Sequence, residues 1–159
     1  MRLALLASLA AGSLVLAAPV TVAAAPTRDE YKAQVEPICE SNTRANERIL
    51  AGVRKLVKEG RLKAAAAQFS KAAAALKAAL NELRPVPRPS ADRARLAKWL
   101  GYVKTEVELF ERVARKLRNG DKVGAQTLVI RLTHTAGLAN NQVLAFEFRY
   151  CRLDPSRFT

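Results

Sequence analysis

The chain has 159 residues, with 27 Lys and Arg against 14 Asp and Glu, one His, two Cys and one Met. Half of the residues are apolar and 6% are aromatic, which excludes disordered, collagen-like and disulfide-dense classes and leaves one domain as the expected unit. The single Met is the initiator, so no other methionine is present to ligate a haem or a metal.

The first segment reads as an address. Met1-Arg2 is a short basic start, and Leu3 to Val20 is apolar apart from Ser8, Gly12 and Ser13. Pro19 and the small residues of Val22-Ala23-Ala24-Ala25-Pro26 follow. This is the three-part pattern of a secretory signal. It predicts residues 1–24 as the signal, with the cut after Ala24, and 25–159 as a single mature domain. The 23 residues from Leu3 to Ala25 would also span a bilayer as an uncleaved anchor; Pro19 and the small residues favour cleavage, after which no transmembrane span is expected. No Cys lies here, so a lipid-modified N-terminus is excluded. Without Arg2 the mature chain carries 26 basic and 14 acidic residues, a net charge of +12. The expected location is extracytoplasmic, secreted or in the cell envelope.

Thr27-Arg28-Asp29-Glu30 fits a capping box. Tyr31, Val35, Ile38, Ala45, Ile49, Val53 and Leu56 then mark one face of a helix over about 28–59, with Asn42 as the polar exception, Pro37 as the expected kink and Gly60 as the stop. Leu62, Ala66, Phe69, Ala73, Leu76, Leu80 and Leu83 form a strict heptad seam, which predicts a second helix over 61–84. Its alanine runs have high helix propensity. Three prolines between Arg84 and Pro89 make a stiff connector. Ser90 is the expected N-cap of a third helix over 91–118, with a seam of Leu96, Trp99, Leu100, Val103, Val107, Phe110, Ala114 and Leu117. Asn119-Gly120 stops it. Asp121 caps a fourth helix over 122–151, whose stripe is Leu128, Leu132, Ala136, Ala139, Val143, Phe146 and Tyr150.

Long helices with short connections predict an all-α, antiparallel up-down-up-down four-helix bundle. That topology brings the start of the first helix and the end of the fourth to the same end, where Cys39 and Cys151 would meet in a terminal disulfide. An even cysteine count in an oxidising compartment favours this pairing. Closing a 112-residue separation would contribute about 4–5 kcal/mol by loop entropy. The register is imperfect. Cys39 lies about 20 residues from the turn at Gly60 and Cys151 about 30 from Gly120, a mismatch of about 15 Å that requires offset or bent hairpins.

Most site chemistry finds no support. His134 is the only imidazole, and its angular position puts it on the solvated side of the fourth helix. A di-iron bundle needs Glu-x-x-His, and the residue three before His134 is Arg131. No C-x-x-C-H is present for haem attachment, and one His with two bridged Cys makes a poor zinc set. No Gly-rich nucleophile elbow appears. Glu36 and Glu40, one turn apart, read as surface carboxylates. No catalytic residue, metal or cofactor is expected, and the chain reads as a non-enzyme.

Charge remains. In the predicted topology Arg54, Lys55, Lys58, Arg61, Lys63, Arg112, Arg115, Lys116, Arg118 and Lys122 gather near the turns at Gly60 and Gly120, against Glu59, Glu111 and Asp121. A field of that sign concentrates anions. Outside the cytoplasm the expected partners are anionic lipid headgroups or phosphate-bearing envelope polymers; nucleic acid suits the charge, but neither the location nor a groove-reading motif supports it. The plainer alternative is a solvated surface, with Glu108–Arg112 and Glu111–Arg115 as local pairs. A rival function is carriage of an apolar ligand in the bundle core, should the small Ala66 and Ala73 fail to fill against Trp99, Phe110 and Phe146. A secreted holdase is a third possibility.

Tyr31-x-x-x-Val35-x-x-Ile38-Cys39 after the signal, Gly120-Asp121 before the last helix and the aromatic-rich Phe146–Cys151 resemble the uncharacterised small secreted helical proteins of actinobacteria. The resemblance covers the mature chain. It implies export and a bundle held by the Cys pair, and no activity or functional residue comes with it.

Overall fold

The computed structural model describes residues 24–153. The predicted signal therefore lies outside the described residues, except for Ala24. Four long helices and one short one follow in order: α1 (Arg28–Leu50), α2 (Val53–Lys58), α3 (Leu62–Leu83), α4 (Arg93–Arg118) and α5 (Lys122–Gln142). Short 3-10 turns occupy Ser90–Asp92 and Leu144–Phe146. No strand occurs among the described residues. α1 packs on α3, α3 on α4 and α4 on α5, giving a helical bundle.

The start of α1 is the predicted capping box: Thr27 Oγ1 accepts from the Glu30 amide, and the Glu30 carboxylate accepts from the Thr27 amide at 2.7 Å. Arg28 then ties this end to the α3–α4 connection. Its Nε and Nη2 donate to the two Asp92 oxygens at 2.7 and 2.9 Å. The Arg28 hydrogen bond is the main reason the Asp92 carboxyl is held below its ordinary range. Ser90 opens a 3-10 turn and Asp92 stands at the N-cap of α4, a small shift from the expected start.

Two boundaries correct the expectation. The helix predicted over 28–59 runs unbroken through Pro37 and stops at Leu50, because Ala51 is extended and Gly52 takes φ +73. That left-handed step is cheap only without a Cβ, and α2 leaves at a new angle. The helix predicted over 122–151 ends at Gln142. Beyond it the chain makes a 3-10 turn and reverses at Glu147, which sits at φ 50.

This early ending resolves the register mismatch. The nine residues from Val143 to Cys151 leave helical rise and turn across the start of α1, where Phe146 and Phe148 stack at 5.2 Å and both lie against Tyr31. Trp99 of α4 meets Phe148 at 5.8 Å. The Glu36 carboxylate accepts the Arg149 amide at 2.8 Å and the Tyr150 amide at 3.1 Å, and so fixes the backbone just before the bridge. The Cys39–Cys151 disulfide is formed, with Cα atoms 5.0 Å apart.

The heptad seam of α3 is the centre of the core: Ala66, Phe69, Ala73, Leu76, Leu80 and Leu83 are all buried. So are the seams of α4 and α5, with Leu109 and Val113 added on α4. No described helix is long and apolar enough to cross a membrane.

Candidate anion-binding end and apolar groove

The turns at Gly60 and Gly120 are built alike. Gly60 has φ +74 and Gly120 φ +77. In one, the Arg61 amide donates to the Leu56 carbonyl at 2.9 Å; in the other, the Asp121 amide donates to the Lys116 carbonyl at 2.9 Å. Each glycine closes its helix with a six-to-one bond, the left-handed cap that a Cβ would disfavour. Asp121 then caps α5 by accepting from the Gly124 amide at 2.7 Å.

These twin turns sit side by side. Gly60, Arg61, Lys63, Leu117, Arg118 and Gly120 line one shallow depression, which brings Arg61, Lys63 and Arg118 together. The basic set is nevertheless divided. Lys55 lies 3.8 Å from Glu59, Arg115 4.0 Å from Glu111, and Lys116 2.7 Å from Asp121. Lys116 holds the Asp121 carboxyl low. Arg61 also reaches Glu59 at 3.7 Å, and Arg118 donates to Ser70 Oγ at 3.0 Å. Arg112 is exposed and lines neither concavity described here. Of the two expected local pairs, Glu111–Arg115 forms, while Glu108 faces Lys104.

Arg54, Lys58 and Lys122 have a different setting, which sequence reasoning did not distinguish. Because α2 departs at Gly52 and leans on α3, while α5 leans on α4, the space between α2 and α5 stays open. The result is a groove of about 460 Å³. Phe69 of α3 and Phe110, Val113 and Leu117 of α4 form its floor. Val53 and Val57 line one wall; Ala125, Val129 and Leu132 line the other. Arg54, Lys58 and Lys122 stand exposed around it, and none is within ion-pair distance of a carboxylate among the described residues. The open apolar space is therefore next to the cations and not beside Ala66 and Ala73, which are buried elsewhere in the core.

A second missed feature lies at the other end. Glu106 of α4 is 2% exposed, and its Oε1 has no hydrogen-bond partner among the described residues. It faces a small cavity shared with Asn42, Trp99, Asn140, Tyr150 and the disulfide. Burial, with no cation to offset it, pushes its carboxyl up to about 8. Its position, three residues after Val103 and four before Phe110, placed it on the seam all along. Asn46 is buried in the same way on α1, with Nδ2 donating to Asn42 Oδ1 at 3.0 Å. His134 is exposed, as expected. No group of three or more His, Cys, Asp or Glu able to hold a metal occurs among the described residues.

No protein-family model, curated protein or solved structure matches this chain.

Proposed function

We propose that the protein is exported, performs no catalysis, and attaches through its Gly60/Gly120 end to an anionic lipid surface of the cell envelope. The observation that carries this reading is the meeting of Arg61, Lys63 and Arg118 at the paired turns, with Arg54, Lys58 and Lys122 on the adjoining face, none of them ion-paired among the described residues. A basic concavity attracts phosphate-bearing surfaces through space and loses that attraction as salt screens it. Lipid is favoured over a soluble phosphate polymer because Val123, next to Lys122, is 79% exposed and Ile130, two turns on, is 66% exposed. These side chains give a bilayer interface something apolar to bury. The disulfide and the lack of a spanning helix among the described residues are compatible with an extracytoplasmic protein that lies on a membrane. Such a protein would belong with the secreted helical proteins that the sequence resembles.

The test is co-sedimentation of the oxidised protein, recovered from an exporting host, with anionic and zwitterionic vesicles at low and moderate salt. A variant carrying Arg61→Glu, Lys63→Glu and Arg118→Glu accompanies it. The expected result is salt-sensitive binding to anionic vesicles alone, lost in the variant. Equal binding by the variant overturns the assignment of this end, and binding to a soluble polyphosphate in preference to vesicles moves the partner from lipid to polymer.

A further inference from the structure

We propose that the groove between α2 and α5 takes up the acyl chain of a free long-chain fatty acid, whose carboxylate is met by Arg54, Lys58 and Lys122. The inference deepens the reading of the basic end as the binding end, and it adds the class of small molecule held there.

Three observations converge. First, the lining is apolar: Phe69, Phe110, Val113 and Leu117 form the floor, and Val57 and Val129, each half-buried, stand in the walls. An aliphatic chain would bury the apolar surface that these walls leave open, and a polar ligand would not. Second, the volume of about 460 Å³ falls within the usual range for small-molecule sites and toward its lower half. Its wall on α5 runs from Lys122 to Thr133, about 16 Å at the helical rise. One extended chain fits that slot better than the paired chains of a membrane phospholipid. Third, among the described residues the charged side chains lining the groove are all cations. Arg54 and Lys58 are one turn apart on α2, so they present adjacent positive charges, and Lys122 opens α5 opposite them. None is neutralised by a carboxylate among the described residues. An apolar slot with a cationic mouth complements a monovalent carboxylate on a hydrocarbon tail. A neutral lipid would leave the charges unused, and an inorganic anion would leave the slot unused.

The geometry also explains why α2 is a separate six-residue piece. Had α1 continued straight past Leu50, Val53 and Val57 would follow the α1 axis. The left-handed step at Gly52 redirects them into a wall.

The experiment is calorimetric or fluorescence-displacement titration of the oxidised protein with saturated fatty acids from octanoate to palmitate, kept below micelle formation. Dodecanol serves as the neutral control. Affinity is expected to rise about fourfold per added methylene until the slot is full, and then level off. Laurate is expected to bind more tightly than dodecanol, with the difference shrinking as salt rises. Val129→Trp, at a half-buried wall position, is expected to abolish uptake. The exposed double substitution Arg54→Glu with Lys58→Glu tests the mouth without disturbing the floor, and is expected to erase the preference for laurate over dodecanol.

Binding that is independent of chain length, or unchanged in both variants, overturns the proposal. So does a dimer that Val129→Trp disperses with no laurate uptake, which would make a second copy of the chain the occupant. The two readings fail separately. Vesicle binding retained by the Arg61, Lys63 and Arg118 variant overturns the surface reading alone. Laurate uptake retained by Val129→Trp, with vesicle binding still lost in the Arg61, Lys63 and Arg118 variant, overturns the groove alone.

Discussion

Replacing Glu106 by Gln should raise the stability of the protein at neutral pH and flatten its pH dependence. The side chain is 2% exposed, no cation among the described residues lies near enough to lower its pKa, and burial pushes the carboxyl from 4.5 up to about 8. Between these values the unfolded chain has released a proton that the native chain keeps. Native protein therefore binds more protons, and stability falls as pH rises, by about 1.4 kcal/mol per unit from one ionising group. By pH 7 the loss is about 3 kcal/mol relative to pH 4.5, and it is complete near pH 8. Glutamine has the same shape and never ionises, so it removes the slope and leaves the packing. The assay is urea denaturation of oxidised wild type and Glu106→Gln at intervals from pH 5 to 8.5. Near pH 5 the two should agree to within about 1 kcal/mol, the usual scale of an exchanged buried hydrogen-bonding group. At pH 7.5 the variant should be the more stable by about 3 kcal/mol. Parallel pH profiles for the two proteins would refute the reasoning, because they would mean that Glu106 is hydrated or paired in solution.

Three other substitutions probe the remaining supports. Removing the bridge with Cys39→Ala and Cys151→Ala should cost about 4–5 kcal/mol in denaturant and open residues 143–153 to limited proteolysis. Gly52→Ala should cost about 1–2 kcal/mol, the penalty for a Cβ at φ +73, and should weaken laurate uptake, whereas Gly52→Asn should be tolerated better. Asp92→Asn should remove the stability contributed by the depressed carboxyl. That contribution is present above the ordinary Asp range and fades as pH falls through the lowered native pKa, so wild type and variant should diverge at neutral pH and converge in acid denaturation.

Much of the fold was legible because periodicity reports directly on burial. The 4,3 spacing on α3 and the seam on α4 named residues that are buried, and Thr27 with Glu30, and Asp121, named working caps. The breaks were harder. Pro37 lies inside α1, as expected of a residue that bends a helix without ending it, while Gly52, which does break the helix, stands amid a continuing apolar stripe. A glycine signals a left-handed step only when the neighbours force one. The end of α5 was overrun for a related reason: Phe146 and Tyr150 keep helical spacing after the helix has stopped, because Phe146 packs onto Tyr31 by a different route. The basic end was legible as charge. Its division into paired cations, a shallow depression and a groove mouth depends on where α2 and α5 part, and spacing along the chain carries no information on that. Glu106 was concealed by its residue type alone.

The ties that hold the tail to α1 also set the order in which the molecule is assembled. α3, α4 and α5 are joined by short connections, so their pairing closes small loops and proceeds quickly. The hydrogen bonds from Thr43 to the Tyr150 carbonyl and from the Arg149 amide to Glu36 join residues 107 and 113 positions apart, and the disulfide spans 112. Those contacts cannot form until the chain has been made through Cys151, and oxidation takes seconds to hours. A chain interrupted after Gln142 would keep the heptad seams of α3 and α4 and lose every tail contact to α1, leaving Cys39 as an unpaired thiol. Synthesis through Cys151 is thus recorded chemically: an oxidised molecule that reaches it has both sulfurs bridged, and one that stops short of it keeps the Cys39 sulfhydryl.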